Sequence, residues 1–224
     1  MTPQPPHNRW QLVIVEFAHH LPYTIVSSLI AMAGVWWFGT QSINTGRADQ
    51  LVAQARASFH LFHPLHICLS AIATTSLFWR YQRQVGRAIW VGAWGTILPC
   101  GLSDYIFPYI GGLLLGQPMK LHMCIVAEPQ LFFSFLGLGI LGGFWAENRL
   151  RGSHLFSHGA HVFISSGASL LYLISFGFTS WMSNVQDIFP VFAIIVLAVW
   201  VPCCISDIVI PVSTAHRGHA HSVA

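Results

Sequence analysis

Apolar residues in this chain are grouped into six long runs, which short polar segments separate. A helix that crosses a bilayer needs about 20 mostly apolar residues, so each run predicts a transmembrane helix. The predicted spans are 10–38, 60–79, 88–116, 121–145, 158–180 and 190–212. Pro99 and Gly101 interrupt the third run, and part of the polar stretch between the first two, 47–58, favours a short interfacial helix. The pattern predicts an all-α, polytopic membrane protein with six transmembrane helices.

Composition supports residence in a membrane. Of the 224 residues, 54% are hydrophobic and 8% are charged, whereas a soluble domain carries about 25% charged residues. The alternative, an unusually apolar soluble protein, would have polar residues interrupting its long apolar runs. The runs of this chain are not interrupted in that way. The basic residues are dispersed, so no nucleic-acid surface is expected. The sequence contains no phosphate-binding loop motif, so ATP-driven pumping by this chain is not expected.

Basic residues also predict the orientation, because Lys and Arg are enriched in cytoplasmic loops. With a cytoplasmic N-terminus, the inner segments contain Arg9, Arg80, Arg83, Arg87, Arg149, Arg151 and Arg217. The outer loops then contain only Arg47, Arg56 and Lys120. Both termini are therefore predicted in the cytoplasm, with the protein in a bacterial inner membrane. The first apolar run lacks a small-residue cleavage site, so no cleaved signal peptide is expected.

Two motifs occur twice, in the same order. Residues 63–73 and 158–168 both read H-x-x-H-x-x-x-S-x-x-A, and residues 99–108 and 202–211 both read P-C-x-x-S-D-x-x-x-P. The offsets are 95 and 103 residues, and His19 matches His122 at the second offset. The motifs predict two three-helix repeats, 1–118 and 119–224. Because three is odd, the second repeat would lie inverted in the membrane, as in many secondary transporters and some channels.

Asp104 and Asp207 lie in the middle of the third and sixth runs. An acidic side chain at that depth costs at least about 2.5–3.5 kcal/mol, so it is usually paired, liganded or functional. Flanking prolines at matched positions favour broken helices near a transport site. The alternative is that each aspartate only caps a broken half-helix.

Cys100 and Cys203 each precede one of these aspartates by four residues. A soft thiolate beside a carboxylate suits Zn, Fe, Co, Ni or Mn better than Na or K. The alternative is that the cysteines are small apolar fillers. Filling is the expected role of the other three cysteines, Cys68, Cys124 and Cys204. An odd number of cysteines inside apolar runs argues against a disulfide framework.

The H-x-x-H pairs, His63 with His66 and His158 with His161, are candidate metal or proton sites. The predicted topology places the first pair in an outer vestibule and the second in an inner vestibule. The alternative is that histidines at span ends lie at headgroup level without a special role.

Other titratable residues are candidates to complete or gate the site. They are Glu16, His19 and His20 on one face of the first span, and His122 and Glu128 in the fourth. The C-terminal tail contains three further histidines, at positions 216, 219 and 221. Such a tail either collects a metal or is flexible without a ligand.

Two segments, Gly95 with Pro99-Cys100-Gly101 and Ile-Val-Ala-Glu-Pro at 125–129, resemble poorly characterised bacterial inner-membrane permeases that are proposed to export heavy metals. The resemblance implies metal transport. Those permeases often have more spans, and this chain has Cys-Gly-Leu-Ser-Asp where a glycine-rich polar turn would be expected.

The sequence therefore predicts a secondary transporter for a divalent transition metal such as Zn, Mn, Fe, Co or Ni. Asp104, Asp207, Cys100 and Cys203 would form the site at the membrane midplane, and protons are the candidate coupling ion. Membrane lipid is the surrounding partner, and homo-oligomers remain open. The alternatives are a membrane-embedded metalloenzyme or haem-binding redox protein, and a membrane subunit whose polar residues only hold the bundle together.

Overall fold

The computed structural model describes residues 9–146 and 154–215, with side chains described at 14, 15, 17–146 and 159–214. These residues form helices and contain no strand. The α-helices are α1 (Arg9–Asn44), α2 (Ala48–Tyr81), α3 (Val85–Gly101), α4 (Phe107–Leu114), α5 (Cys124–Ala127), α6 (Pro129–Ala146), α7 (His154–Phe176), α8 (Val185–Cys204) and α9 (Ile210–Ala215). A 3₁₀ turn, Ser180–Met182, precedes α8.

Six helical segments are long and apolar enough to cross a membrane, which confirms the predicted all-α, polytopic architecture. They are Phe17–Asn44, Ala48–Tyr81, Val85–Leu114, Pro129–Ala146, Gly159–Phe176 and Val185–Thr214. Large apolar side chains cover the outside of the bundle, for example Ile14, Trp90, Leu138 and Leu197. Many serine, threonine and histidine side chains are buried instead. This distribution is the one expected where lipid surrounds the protein.

The third and sixth spans each contain a π-helical turn, Leu102–Ile106 and Ile205–Val209, instead of the predicted break. Each turn comes just before a proline, Pro108 or Pro211, whose ring would clash with the carbonyl four residues earlier in an α-helix. The wider π turn relieves that clash while the helix continues. Asp104 and Asp207 lie inside these turns, so neither caps a separate half-helix.

The second span begins about three turns earlier than its apolar run predicts. The expected interfacial helix, 47–58, is instead the start of α2, which is 34 residues long, or roughly 50 Å at 1.5 Å per residue. No Gly or Pro lies between Ala48 and Ser58 to end the helix. His63 and His66 therefore lie near the middle of α2.

Helix α2 is central, packing against α3, α6 and α7, while α1 packs against α7 and α8. In the predicted repeat α1 corresponds to α6, and α2 to α7. The contact of α1 with α7 then corresponds to the contact of α6 with α2. The first helix of each half thus packs against the second helix of the other. The opposite orientation of the halves stays a prediction.

Close packing of α6 against α2 depends on glycine. A Cβ atom at Gly139 would lie 2.5 Å from the Cys68 carbonyl oxygen, and one at Gly143 would lie 2.6 Å from Thr75 Cβ. At Gly137, on the same helix, an added Cβ would meet no atom within 4 Å. The two helix backbones therefore approach each other at the glycine face, as in small-xxx-small pairs.

Gly139→Ala is expected to destabilise the protein by about 1–3 kcal/mol, the usual cost of forcing an extra carbon into a packed interface. Gly137→Ala is the matched control, because the same methyl group is added to the same helix where space is open. Thermal unfolding in detergent checks the difference. Equal melting temperatures for the two variants would contradict the close α2–α6 contact.

Candidate metal centre

Asp104 binds two histidines of α2 inside the bundle. The Nδ1 atoms of His63 and His66 each donate to Asp104 Oδ2 at 2.7 Å. Ser165 donates to the other carboxylate oxygen at 3.2 Å. All four residues are fully buried. The two histidines reach one carboxylate because residues three apart share a helix face.

Asp207 makes the corresponding contact in the second half. His161 Nδ1 lies 2.8 Å from Asp207 Oδ2, and both residues are buried. His161 matches His66 at the 95-residue offset, and Asp207 matches Asp104 at the 103-residue offset. The remaining member of the motif, His158, lies outside the residues whose side chains are described.

Serine and threonine hydroxyls link each π turn to the other half of the chain. Ser70 of α2 bonds to Ser206 at 2.7 Å, and Ser165 of α7 bonds to Ser103 at 2.8 Å. Two further bonds also correspond at the repeat offsets, Thr74 to the Ser206 carbonyl at 3.2 Å and Ser169 to the Ser103 carbonyl at 3.0 Å. The repeat motifs therefore make matching contacts across the centre of the bundle.

Histidine and cysteine side chains converge between the two π turns. His66 Nε2 lies 3.8 Å from Cys100 Sγ and 3.7 Å from Cys203 Sγ. The rings of His66 and His161 lie 4.7 Å apart between centroids. Ligand atoms of His66, His161 and Cys203 are all within 4.8 Å of one another. Ligands of a tetrahedral zinc ion, bound at 2.0–2.3 Å, lie about 3.3–3.8 Å apart, so a small inward movement would complete such a site.

We name this group the central cluster; it consists of His66, His161, Cys203 and Cys100. The two aspartates contact the cluster through its histidines. Because Nδ1 of His66 and of His161 binds a carboxylate, Nε2 is the ring nitrogen that would bind a metal. Carboxylate–histidine–metal chains of this kind fix the tautomer and the ring orientation. The sequence predicts that the carboxylates of Asp104 and Asp207 bind the metal directly. In this geometry each carboxylate instead binds a histidine Nδ1.

The expected outer vestibule at His63 and His66 is wrong. Both side chains are fully buried at the centre, because α2 begins well before the apolar run that marked the span. The His63 ring stacks on Phe59, 5.5 Å between centroids. Its Nε2 has no hydrogen-bond partner among the residues that the structure describes.

Several other predicted site residues are not among the ligand atoms of the central cluster. His19 is exposed on α1, His20 is buried one residue later, and Glu128 is exposed at the end of α5. Neither of these histidines belongs to a group of close metal-ligand atoms within the described residues. Side-chain positions for Glu16 and the histidines at 158, 216, 219 and 221 lie outside the described residues.

A second group of ligand atoms joins His122, which the sequence singled out, to two residues that it did not. His60, His122 and Cys124 place ligand atoms within 4.8 Å of one another. His60, which has no histidine counterpart in the repeat, was not singled out from the sequence, and Cys124 was predicted to be a filler. The available signal was the spacing of His60, His63 and His66 at every third residue of α2.

Comparisons of the chain with protein-family models, curated proteins and solved structures gave no match. The functional assignment therefore rests on the geometry and the ligand chemistry of these two groups.

Proposed function

We propose that the protein is a secondary transporter of a divalent transition-metal cation, with zinc as the first candidate. The observation that supports this most directly is the buried convergence of His66, His161 and Cys203 within 4.8 Å. Imidazole and thiolate ligands favour Zn, Co, Ni and Fe, whereas Mn prefers oxygen ligands. Cys100, 3.8 Å from His66 Nε2, would supply the fourth ligand of a tetrahedral site.

The position of the central cluster favours transport over a purely structural metal site. Its residues come from both predicted halves, and the serine pairs at its edge also cross between them. Sites between inverted repeats near the midplane are typical of secondary transporters, in which one repeat moves against the other. Matched π turns beside the cluster fit this, since such turns are frequent at functional sites.

Protons are the proposed coupling ion. A metal needs deprotonated cysteines and a free nitrogen lone pair on each histidine, so binding releases protons. Asp104 with His63 and His66 forms a buried group that can hold a proton beside the site. In this proposal the protein lies in a bacterial inner membrane, with both termini in the cytoplasm.

Haem binding fits this cluster poorly. The rings of His66 and His161 are in contact, 4.7 Å apart between centroids, so a porphyrin plane does not fit between them. A small ion needs no such gap. The central cluster therefore favours a metal cation over the redox-protein alternative.

Zinc flux into proteoliposomes that enclose a zinc-sensitive dye tests the function. Wild-type protein is expected to give saturable flux, and an imposed pH gradient is expected to change its rate. His66→Ala is expected to lower the flux at least about tenfold. Even the loss of a residue that only orients a metal ligand lowers metal affinity or activity about 10–100-fold. His19→Ala is the matched control, because that histidine lies exposed on α1.

Flux no greater than in protein-free vesicles, for zinc and for cobalt, would contradict transport. Equal loss of flux in His66→Ala and His19→Ala would contradict the central cluster as the transport site.

A further inference from the structure

The second group of ligand atoms brings two imidazoles and a thiol close together. Cys124 Sγ lies 3.9 Å from His60 Nδ1, and the rings of His60 and His122 lie 5.2 Å apart between centroids. The His122 ring stacks on Phe176 at 4.6 Å, which holds it in place. His122 Nε2 is buried and has no hydrogen-bond partner among the described residues. Two imidazoles and a thiol form a ligand set that suits zinc and its neighbours.

This group lies beside an opening at one end of the bundle. His122 lines a pocket of about 330 Å³ together with Arg56, Lys120, Leu121 and Phe176. The same end contains the loop between α1 and α2 and the C-terminal end of α7. Arg56 donates a hydrogen bond to the Ser175 carbonyl of α7 at 3.2 Å. His60 and His122 are half-buried, whereas His66 and His161 are buried. An ion from solution can therefore reach this group before the central cluster.

Helix α2 connects the two groups. His60, His63 and His66 follow one another at every third residue, a rise of about 4.5 Å per step. His63 shares Asp104 with His66 and has a buried Nε2 without a described hydrogen-bond partner. The His63 imidazole therefore lies between His60 and His66 along α2.

The positions that the repeat relates to this group lack an equivalent set of residues. At the repeat offsets, Cys124 corresponds to Leu21 and His60 to Leu155. His122 corresponds to His19, which lies exposed on α1. The second group thus makes one end of the bundle chemically different from the other.

Binding at this group is expected to be weaker than at the central cluster. Arg56 and Lys120 line the same pocket and repel a divalent cation, and the carboxylate of Glu128, which acts on His60 and His122, offsets only part of that repulsion. Partial exposure also leaves the ligands competing with water. Weak binding is what a site on a transport pathway needs, because an ion must leave the site as readily as it arrives.

We propose that His60, His122 and Cys124 form a second, lower-affinity site for a divalent transition-metal cation, through which the ion passes between the pocket and the central cluster. Metal binding at this site does not depend on transport, while its role in passage rests on the proposed function.

Cobalt titration of purified full-length protein tests the site, because bands from sulfur-to-cobalt charge transfer report a thiolate ligand. Wild type is expected to bind two ions per chain, one tightly and one weakly. Cys203→Ala is expected to lose the tight ion and keep the weak one, with its sulfur band. Cys124→Ala is expected to do the reverse, and Cys68→Ala, at a half-buried cysteine outside both groups, is expected to change neither.

A Cys124→Ala variant that keeps both ions and an unchanged spectrum would overturn the second site. If Cys203→Ala changed nothing while Cys124→Ala removed an ion, the central cluster would fail and the second site would stand. His122→Ala is expected to repeat the Cys124→Ala result, which separates loss of ligands from a local effect of one substitution. Lys120→Gln is expected to tighten the weak site by about twofold to fivefold, the range of a partly screened charge pair; weaker or unchanged binding would contradict the role of charge.

Discussion

Cys203→Ala is expected to lower zinc affinity at the central cluster by more than about 100-fold, whereas Cys204→Ala is expected to leave it nearly unchanged. The two cysteines are adjacent and both are buried, so each substitution removes one sulfur from the packed interior. Only Cys203 belongs to the group whose ligand atoms converge with those of His66 and His161. Losing a residue that only orients a metal ligand lowers metal affinity about 10–100-fold, so losing a direct ligand should lower the affinity further. Competition with a chelator of known affinity measures the difference.

Cys100→Ala extends this comparison to the proposed fourth ligand. Its sulfur lies 3.8 Å from His66 Nε2, close to the 3.7 Å of Cys203. A smaller fall in affinity than in Cys203→Ala would fit a fourth position that water can occupy. If the Cys203 and Cys204 variants bound zinc equally well, the central cluster would not be the binding site.

The repeated motifs predicted the central residues because ionisable residues inside a membrane are rare and must find partners. His66, Asp104, His161 and Asp207 all come from the two motifs, and the structure brings them to the centre. Spacing alone did not predict which atoms meet. In the structure the carboxylates take the Nδ1 atoms, and this places both aspartates behind the histidines instead of beside the cysteines.

Two features escaped prediction for physical reasons. The length of α2 was underestimated because apolar runs mark the part of a helix that lies in lipid, while the helix itself continues through Ala48–Ser58. His63 and His66 were consequently placed in an outer vestibule. The prolines were expected to break the spans, but a π turn before Pro108 and before Pro211 avoids the steric clash and keeps each helix continuous.

His60, His122 and Cys124 illustrate a different limit. They lie far apart in the sequence, and their grouping depends on how the loop before α5 folds back over α2. That fold is held by contacts that no local pattern encodes, such as the bonds of the Tyr172 hydroxyl with the His122 N–H and the Lys120 carbonyl, each 3.0 Å.

Asp104→Asn is expected to lower zinc affinity about 10–100-fold, the cost of losing a carboxylate that orients a metal-binding histidine. Asparagine keeps the shape, but its one amide oxygen replaces a charged acceptor that serves His63 and His66 together. The metal-free protein should also lose about 1–3 kcal/mol of stability, since the two buried histidines lose a shared charged acceptor. Asp187→Asn is the control, because that carboxylate bonds to Asn184 at the exposed start of α8.

Zinc affinity and zinc flux together distinguish two roles for Asp104. If the carboxylate orients His66, affinity and flux should fall in parallel, and higher zinc concentration should restore the flux. If the carboxylate instead carries the coupling proton, affinity would change little while flux lost its dependence on the pH gradient. Unchanged affinity in Asp104→Asn would therefore contradict the orienting role, and a flux that no longer depends on the pH gradient would assign the buried His63–Asp104–His66 group to proton transfer.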